Sequence, residues 1–296
     1  MKKFIAEKSF WDLFPDSEIG ILVMDNIKNK PEDNDPAITK IKALLETANR
    51  EAPKYLTDPV LSQNSVVSVW REAFTKFKTK KGARSSIEAL LRRIDKGNAV
   101  GSINPLVDLY NAVSLTYGLP CGMEDLESIK GNLRLTVTIG GDAFLALGDS
   151  EADPTLPGEL CYLDDRGGVC RCWNWRDGQR TMLTEKTTSA IAVIESVDPT
   201  RHADLVEALR ELTAWVEETG VANVIVNTIV NQNLSEVVLD LNYYCPTCNG
   251  ELELIASCGA VGYFCNHCRK LVSRKKMLNE PDGKTMVEPD QSMGSD

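Results

Sequence analysis

Apolar side chains in the first 120 residues recur mostly at helical spacing. An aliphatic run at 19–23 first predicts a strand, and a polar loop follows it. Four repeats of period three to four then predict amphipathic helices, over residues 37–50, 65–77, 87–94 and 105–117. Ser85 or Ser86 can cap the third helix, and Asn104 followed by Pro105 starts the fourth. The N-terminal half is therefore predicted to be mainly helical.

The period changes to two after residue 130, which is typical of strands. Alternation over Leu133–Ile139 predicts one strand. Leu160–Leu163 and Val169–Trp175 alternate on either side of a turn at 164–168 and predict a hairpin. A strand, a helix and a strand then follow, at 190–197, 202–218 and 221–230. Helices mixed with antiparallel strands favour the α+β class over a doubly wound parallel sheet.

Four cysteines near the C-terminus have the spacing of a metal site. Cys245 and Cys248 form one CxxC pair, sixteen residues follow, and Cys265 and Cys268 form the second pair. Two CxxC turns joined by a hairpin-length insert place four thiolates at the corners of a tetrahedron, as structural Zn²⁺ requires. The alternative is a set of buried or redox-active cysteines. Catalysis at this metal is disfavoured, because four thiolates leave no open coordination position.

These patterns divide the chain into four segments. We predict a main domain at 1–230, a linker at 231–242 and a zinc ribbon at 243–277. The tail at 278–296 is polar, with Pro281, Gly283, Pro289 and Gly294 among few large apolar groups, and we expect it to be disordered.

The charge of the chain is acidic on average and basic in one segment. Forty-three acidic against 33 basic residues give a net charge of −10, which disfavours indiscriminate binding to nucleic acid or to an anionic membrane. Residues 71–96 are the exception, since nine basic and three acidic side chains leave a charge of +6. This basic segment is a candidate phosphate-facing surface, and the alternative is a solvated helix face.

The sequence favours a cytoplasmic protein without a membrane span. Glu7, Lys8 and Asp12 interrupt any apolar export signal after Met1. No stretch reaches the roughly 18 consecutive apolar residues of a membrane helix. An odd number of cysteines, nine, with four in metal spacing, fits a reducing compartment better than a disulfide framework.

An ordered series of motifs resembles a known family. The motifs are Arg84-Ser-Ser86, Asn104-Pro-Leu-Val-Asp108-Leu-Tyr-Asn111, Gly118-Leu-Pro120, Asp125-Leu-Glu-Ser-Ile129, Gly158-Glu159, Leu163-Asp-Asp165 and Trp173-Asn-Trp-Arg176. Together they resemble the B3/B4 domain of the phenylalanyl-tRNA synthetase beta subunit, and more closely its free-standing relatives. The resemblance covers about Val66 to Val197. It implies a B3/B4-like mixed domain with packed helices, which in the synthetase hydrolyses wrongly charged tyrosyl-tRNA.

The ribbon has a resemblance of its own. Cys258-Gly-Ala-Val-Gly-Tyr-Phe-Cys265 is similar to a segment of small bacterial zinc-ribbon proteins of unassigned role. In those proteins the position that matches Cys268 need not be cysteine, which leaves Cys258 or His267 as substitute ligands. We expect the four CxxC cysteines to be the ligands.

The resemblance implies a pocket and the residues that would act in it. Glu159 matches a glutamate that accepts a hydrogen bond from a phenolic hydroxyl. Water could be activated by Glu159, by Glu185 or by the terminal hydroxyl of the tRNA itself. Glu159 taken alone could equally be an exposed residue at a strand entry. The remaining candidates for substrate binding are Asn104, Asn111, Gly122, Thr184 and Thr187. Asn104 could also be only a helix cap, and Thr184 and Thr187 only a polar strand edge.

Trp173 and Trp175 are further substrate-binding candidates, since an indole can stack on an aromatic side chain or on adenine. Alternation along the predicted strand places both tryptophans on one face and Cys170 and Cys172 on the other, where core packing is the alternative role. Cys121, in a Pro-Cys-Gly turn, could be an exposed nucleophile, but no histidine partner is evident nearby.

One position departs from the synthetase pattern. The synthetase usually has a histidine two residues after the proline that matches Pro120, and this chain has Gly122 there. The chain has two histidines, His202 at a helix start and His267 in the ribbon, so an imidazole general base in the main domain is disfavoured.

Two hypotheses follow. The first is a tRNA-binding protein that hydrolyses mischarged aminoacyl-tRNA in trans, with structural Zn²⁺ in the ribbon. Its phosphate contacts would come from Lys78, Lys80, Lys81, Arg84, Arg92 and Arg93, with further contacts from the basic residues at 269–276. The second is a catalytically inactive module that binds tRNA or an amino acid, while the ribbon docks a protein partner. The sequence leaves enzymatic activity open.

Overall fold

Two sheets and a layer of helices form the larger part of the molecule. The computed structural model describes residues 2–30, 34–239, 243–257, 260–273 and 276–278. The chain divides into two compact units, residues 2–239 and the remainder. No helix among the described residues is both long and apolar enough to cross a membrane.

Helices account for much of the first half of the larger unit. The α-helices among the described residues are α1 (Lys8–Trp11), α2 (Pro36–Glu51), α3 (Ser65–Ala73), α4 (Ser86–Asp95), α5 (Pro105–Tyr117) and α6 (His202–Thr219). Short 3₁₀ helices occupy Ala52–Tyr55, Leu61–Gln63 and Pro199–Arg201.

The strands of the larger unit form two sheets. The strands are β1 (Lys3–Ala6), β2 (Glu18–Asp25), β3 (Cys121–Asp125), β4 (Leu133–Val137), β5 (Leu160–Asp164), β6 (Gly167–Arg171), β7 (Arg176–Asp177), β8 (Ala190–Ser196), β9 (Asn223–Val230) and β10 (Glu236–Val238). One sheet has the order β3-β8-β2-β9 and is antiparallel. The other has the order β10-β1-β4-β5-β6-β7, in which β1 and β4 are parallel. The predicted α+β class is confirmed.

Strand β2 separates two hydrophobic cores. Its side chains alternate, so that Leu22 and Met24 pack in the core with α5 and α6 while Ile21 and Val23 face the core that includes β4, β5 and β6. The four-stranded sheet therefore lies between the helical layer and the six-stranded sheet.

Most predicted elements are present, with shifted ends. The predicted helix at 65–77 ends at Ala73, because Thr75 and Lys76 donate their N–H groups to carbonyls three residues back. The predicted strand at 169–175 ends at Arg171, because Cys172 and Trp173 have φ angles of 44° and 64°, which a strand does not admit.

Four short strands were missed by the periodicity. Strand β1 lies in the N-terminal segment, for which the sequence predicted no regular element. The two-residue β7 lies beyond the predicted hairpin. The Pro-Cys-Gly segment predicted as a turn is the start of β3, and Cys121 is buried in it. Within the predicted linker, β10 pairs with β1.

The second unit contains the cysteine pairs and a small antiparallel sheet. Its strands, in the order β11-β12-β13, are β11 (Glu253–Ser257), β12 (Ala260–Cys265) and β13 (Lys270–Val272). The predicted disordered tail falls outside the described residues from position 279 onward, as do Cys258, Arg274 and Lys275.

The start of α5 gives a test of the role of Asn104. Its Oδ1 accepts a hydrogen bond from the Val107 amide at 3.0 Å, with Pro105 at the first helical position. We expect Asn104→Ala to lower the free energy of unfolding by about 1 kcal/mol, because an N-cap is lost, and Asn104→Ser to retain most of it. Urea unfolding measures both. An Asn104→Ala protein of unchanged stability would contradict the capping role.

Candidate functional site

A pocket lies between the two sheets of the larger unit. It has about 560 Å³ of empty space, part of it open to solvent. Strands β3 and β8 form one wall, and β4, β5, β6 and the segment 173–177 form the other. In the antiparallel pairing of β3 with β8, Gly122 lies opposite Val193 and Glu124 opposite Ile191.

Glu195 is the most fully coordinated acid of the pocket. Its Oε1 accepts a hydrogen bond from the Tyr162 hydroxyl at 2.5 Å, and its Oε2 accepts one from the Asn174 amide at 2.6 Å. The carboxyl is 1% exposed. Burial raises the pKa of Glu195 to about 7, and the hydrogen bonds from Tyr162 and Asn174 limit the rise. Glu195 can therefore exchange a proton near neutral pH.

Two more carboxyl groups face the same space. Burial raises the pKa of Glu124 well above its usual value, and the nearby Asp177 adds to the rise. Burial also raises the pKa of Asp177. Among the residues that line the pocket there are three acids and no lysine, arginine or histidine. A bound cation or a strong hydrogen-bond donor would lower the free-energy cost of burying these three acids.

Several buried polar atoms around the pocket have no hydrogen-bond partner among the described residues. They are Glu124 Oε2, Asn174 Oδ1, Ser86 Oγ and Trp173 Nε1. The Trp173 indole lies beside Glu195 and lowers its pKa, although Nε1 makes no hydrogen bond of ordinary geometry. Buried polar groups are nearly always paired, so this set of two acceptors, a hydroxyl and a donor indicates a place for a polar ligand or ordered water.

Aromatic packing fixes the inner wall. Trp173 is fully buried, and its ring contacts those of Phe10, Phe14 and Trp70, with centroids 5.2, 4.7 and 4.9 Å away. Trp175 is half-buried at the pocket, beside the Arg176 guanidinium. Trp173 thus serves as both core and pocket wall, and the predicted shared face of the two tryptophans is lost because the strand ends before them.

Glu159 lies outside this pocket in a buried ion pair. Arg171 donates from Nε to Glu159 Oε1 at 2.8 Å and from Nη2 to Oε2 at 2.6 Å, and the two side chains are 1% and 0% exposed. The amides of Leu156 and Cys172 also donate to this carboxylate. Burial alone would raise the pKa of Glu159, but these bonds outweigh it and hold the pKa below its usual value. Glu159 therefore stays ionised and anchors the segment that carries Trp173.

The other candidate pocket residues are dispersed. Gly122 lines the pocket, and a Cβ built there would meet nothing within 4 Å. Asn104 caps α5, and Asn111 is buried on the same helix. Neither lines the pocket.

The predicted polar residues at 184–187 form a turn of their own. Thr187 is buried and donates its hydroxyl to Asp125 at 2.7 Å, while it accepts a hydrogen bond from the Thr184 amide. Glu185 is exposed on this turn. The structure thus brings Gly122, Trp173 and Trp175 together and leaves Glu159, Glu185, Asn104, Asn111, Thr184 and Thr187 elsewhere.

Cys121 has the properties of a core residue. It is 5% exposed on β3, and burial raises the pKa of its thiol far above the usual value. A thiol that stays protonated is a poor nucleophile, so the exposed-nucleophile interpretation of Cys121 is wrong.

The basic segment is partly neutralised. Lys80 pairs with Asp153, and Arg92 donates to Glu88 at 2.7 Å. Lys78 and Lys81 are exposed, Arg84 is half-buried, and Arg93 donates to the carbonyl of Ala99.

The four CxxC cysteines form one cluster. Their sulfur atoms all lie within 4.8 Å of one another, with 3.8 Å between Cys245 and Cys268 and 3.4 Å between Cys248 and Cys265. Tetrahedral zinc with Zn–S bonds of about 2.3 Å places sulfurs roughly 3.8 Å apart. Among the described residues, no other group of three or more His, Cys, Asp or Glu side chains could hold a metal ion. The donor set fits a structural Zn²⁺ site.

Backbone amides favour the thiolate form of Cys245. Burial raises the pKa of Cys245, but hydrogen bonds from the amides of Thr247 and Cys248 outweigh it and bring the pKa to about 6. The Cys268 amide likewise donates to the Cys265 sulfur at 3.2 Å. Thiolate is the form that binds zinc.

Comparison with known proteins identifies both parts of the chain. The family model for the B3/4 domain matches residues 69–220, a little over half of the sequence. The chain belongs to the B3/4 domain family. A second family model, for a double zinc ribbon, matches residues 231–279. The resemblances inferred from the motifs are confirmed for both parts.

Relatives of this B3/4 protein match it over limited lengths. The phenylalanine–tRNA ligase beta subunit of Bartonella henselae is 34% identical over 96 residues, which cover 32% of this chain and 12% of that subunit. The uncharacterised protein YfgJ of Escherichia coli K12 is 38% identical over 39 residues, 13% of this chain and 55% of that protein. A solved N-terminal fragment of the Pyrococcus horikoshii phenylalanyl-tRNA synthetase beta subunit is 15% identical, with a TM-score of 0.35 and 46% of each chain covered.

Glu195, Glu124 and Asp177 are the pocket residues that sequence reasoning missed. A charged residue after Ile191-Ala-Val-Ile194 in a predicted strand was the available signal, because an acid at the end of an aliphatic run is costly to bury without a function or a partner. Glu124 carried no such signal, since it lies in no element that the periodicity predicted.

The buried ion pair gives a prediction about stability. We expect Glu159→Gln to lower the free energy of unfolding by about 3–5 kcal/mol at pH 7, because Arg171 would keep its charge without a counter-ion. The folded pKa of Glu159 is below the unfolded value, so the difference from wild type narrows as the pH falls below about 4.3. Urea unfolding at several pH values measures this, with exposed Glu185→Gln as control. Equal effects of the two variants would contradict the structural role.

The cysteine cluster gives a second prediction. We expect Cys248→Ser to lower the zinc content by one ion per chain, because three thiolates bind zinc less tightly than four. Metal release by a chelator, followed with a chromogenic zinc indicator, measures the content. Cys121→Ser, outside the cluster, is the matched control. Unchanged zinc in Cys248→Ser would exclude this ligand set.

Proposed function

We propose that the inter-sheet pocket binds the aminoacyl group of an aminoacyl-tRNA and that the protein hydrolyses the ester of mischarged tRNA in trans. Membership in the B3/4 domain family supports a tRNA-related role. The observation that carries the proposal is the pocket itself, with a carboxyl group whose pKa is about 7 among polar atoms that have no partner. The chain spans about an eighth of the length of its synthetase relative, so the activity is inferred from the site.

The charge of the pocket suits an aminoacyl ester. The α-ammonium group of such an ester is a cation with three donors, and Glu124 has an oxygen without a partner to receive one of them. Glu195 supplies a further acidic group on the same wall, and Asp177 supplies one on the opposite wall. Binding a cation would lower the raised pKa values of these acids and recover part of the cost of burying them.

Glu195 would act as the general base. It takes a proton from water as the water oxygen attacks the ester carbonyl carbon. The bond between that carbon and the terminal ribose oxygen of the tRNA then breaks, and the ribose oxygen takes the proton from Glu195. The Trp173 Nε1–H lies beside Glu195 and makes no hydrogen bond of ordinary geometry, and it would stabilise the developing oxyanion. Glu159 and Glu185 have no step in this mechanism, because neither lines the pocket.

The ribbon would hold zinc in a structural role. Four cysteine ligands complete the coordination of Zn²⁺, so the ion would stabilise residues 243–278 and take no part in hydrolysis. Lys270 and Arg269 are exposed beside the cluster and could add phosphate contacts.

A binding module is the second candidate, and one observation favours it. Both oxygens of Glu195 already accept hydrogen bonds, one from Tyr162 and one from Asn174. Glu195 must therefore weaken one of these hydrogen bonds before it can take a proton from water. No imidazole lines the pocket, and Gly122 occupies the position at which the synthetase usually has histidine. In this case the pocket would retain an amino acid or aminoacyl group without cleavage.

Deacylation of a panel of mischarged tRNAs tests the proposal, beginning with tyrosyl-tRNA specific for phenylalanine. We expect hydrolysis by the wild type, with kcat/KM rising as Glu195 deprotonates through pH 7. Glu195→Gln should lower the rate by about 10²–10⁴, because general-base catalysis is lost while the shape of the side chain is kept. Exposed Glu185→Gln is the control and should match the wild type. Equal rates for Glu195→Gln and the wild type would exclude Glu195 as the base.

Gly122→His separates the two candidates. The open space at Gly122 can receive a side chain, so the variant would bring an imidazole to the pocket. If the editing proposal is correct, the wild-type protein itself should hydrolyse mischarged tRNA. An inactive wild type that gains hydrolysis in Gly122→His would instead support the binding module, with a substrate-competent pocket that lacks its base.

A further inference from the structure

A second cavity lies on the surface beside the start of α4. It has about 680 Å³ of empty space and is more open than the inter-sheet pocket. Arg71, Arg84 and Arg92 line it, and Glu88 is its acidic residue. Three guanidinium groups against one carboxylate leave two net positive charges. We call this cavity the arginine groove.

The arginine groove has hydrogen-bond donors that the protein does not use. Glu88 is 2% exposed and accepts from Arg71 at 2.7 and 3.0 Å and from Arg92 at 2.7 Å, which holds both guanidinium groups in place. Arg92 Nε is buried without a partner among the described residues. Arg84 donates from Nε to the carbonyl of Gly82 at 3.2 Å and pairs with no carboxylate in the part of the chain that the structure describes.

The helix geometry adds to this charge. Ser85 lines the arginine groove and caps α4, a helix of ten residues, by accepting a hydrogen bond from the Glu88 amide. The amides of the first turn and the positive end of the helix dipole therefore lie at the groove. Planar guanidinium groups together with a helix N-terminus are a suitable arrangement for a phosphate.

The arginine groove and the inter-sheet pocket share a wall. Ser85 lines the groove, and Ser86, the next residue, lines the pocket. Trp70 lines the groove, and its ring packs at 4.9 Å against Trp173, which lines the pocket. Adjacent Cα atoms are about 3.8 Å apart, so the two cavities lie on either side of Ser85–Ser86 and of the Trp70–Trp173 contact.

We propose that the arginine groove binds the phosphate of the nucleotide that carries the aminoacyl group in the inter-sheet pocket. A mononucleotide unit would then be the recognised chemistry, with an acidic pocket for its cationic aminoacyl end and a basic groove for its phosphate. The choice of an aminoacyl nucleotide as ligand rests on the proposed function. Phosphate binding by the groove does not.

Binding of AMP, adenosine and inorganic phosphate to the full-length protein tests this, by isothermal titration calorimetry. We expect AMP to bind at least about tenfold more tightly than adenosine, and Arg84→Gln to weaken AMP binding by about tenfold or more, because a charge-assisted contact is lost. Arg84→Gln leaves no buried carboxylate without a partner, so the melting temperature of the variant should equal that of the wild type. Arg50→Gln is the matched control, since Arg50 is exposed, has no proposed contact with RNA and does not line the groove.

The outcomes separate this inference from the proposed function. Equal AMP affinity in Arg84→Gln and wild type, or an equal loss of AMP affinity in Arg50→Gln, would contradict phosphate binding by the groove. AMP binding that depends on Arg84 in a protein that deacylates no tRNA would support the groove and reject the editing activity. Deacylation that is lost in Glu195→Gln but unchanged in Arg84→Gln, without AMP binding, would reject the groove and keep the activity.

Discussion

The buried pair of Arg171 and Glu159 is the interaction on which the pocket depends. It joins the entry of β5 to the end of β6, and both side chains are almost fully excluded from water. The backbone then enters the left-handed region at Cys172 and Trp173, where L residues are disfavoured. The Glu159 carboxylate accepts the Cys172 amide, so the ion pair holds the backbone in a conformation that would otherwise relax. Trp173 and Asn174 reach the pocket as a result.

The buried acids near residues 172–174 fall into two groups, one paired with a cation and one not. The pair at Glu159 is fully matched and stays ionised, whereas Glu124, Asp177 and Glu195 are buried with no cation among the lining residues. A protein gains nothing in stability from such acids, which favour the neutral form when buried. The proposed ligand would account for their placement, whereas the matched pair is structural.

Local signals account for what the sequence predicted well. Asn104, Pro105 and Gly118 bound α5 through its own cap and turn chemistry, and the CxxC spacing located the metal cluster. The pocket depends on contacts between distant segments, which periodicity does not encode. Glu159 is a clear case: its motif pointed to a ligand contact, but Arg171, twelve positions away, takes both of its oxygens. Glu195 sits in a strand whose pattern reveals burial but not what the carboxyl faces.

Strand β2 belongs to both cores, with Leu22 on the helical side and Ile21 on the side of the pocket. A shift of the pairing of β2 by one residue would send each of its side chains to the opposite core. Neither core can therefore form correctly while β2 is paired in a wrong register. The helical layer and the pocket wall should therefore be lost together in a single cooperative transition. Any dissection of this unit into a helical half and a sheet half would leave each without a complete interior.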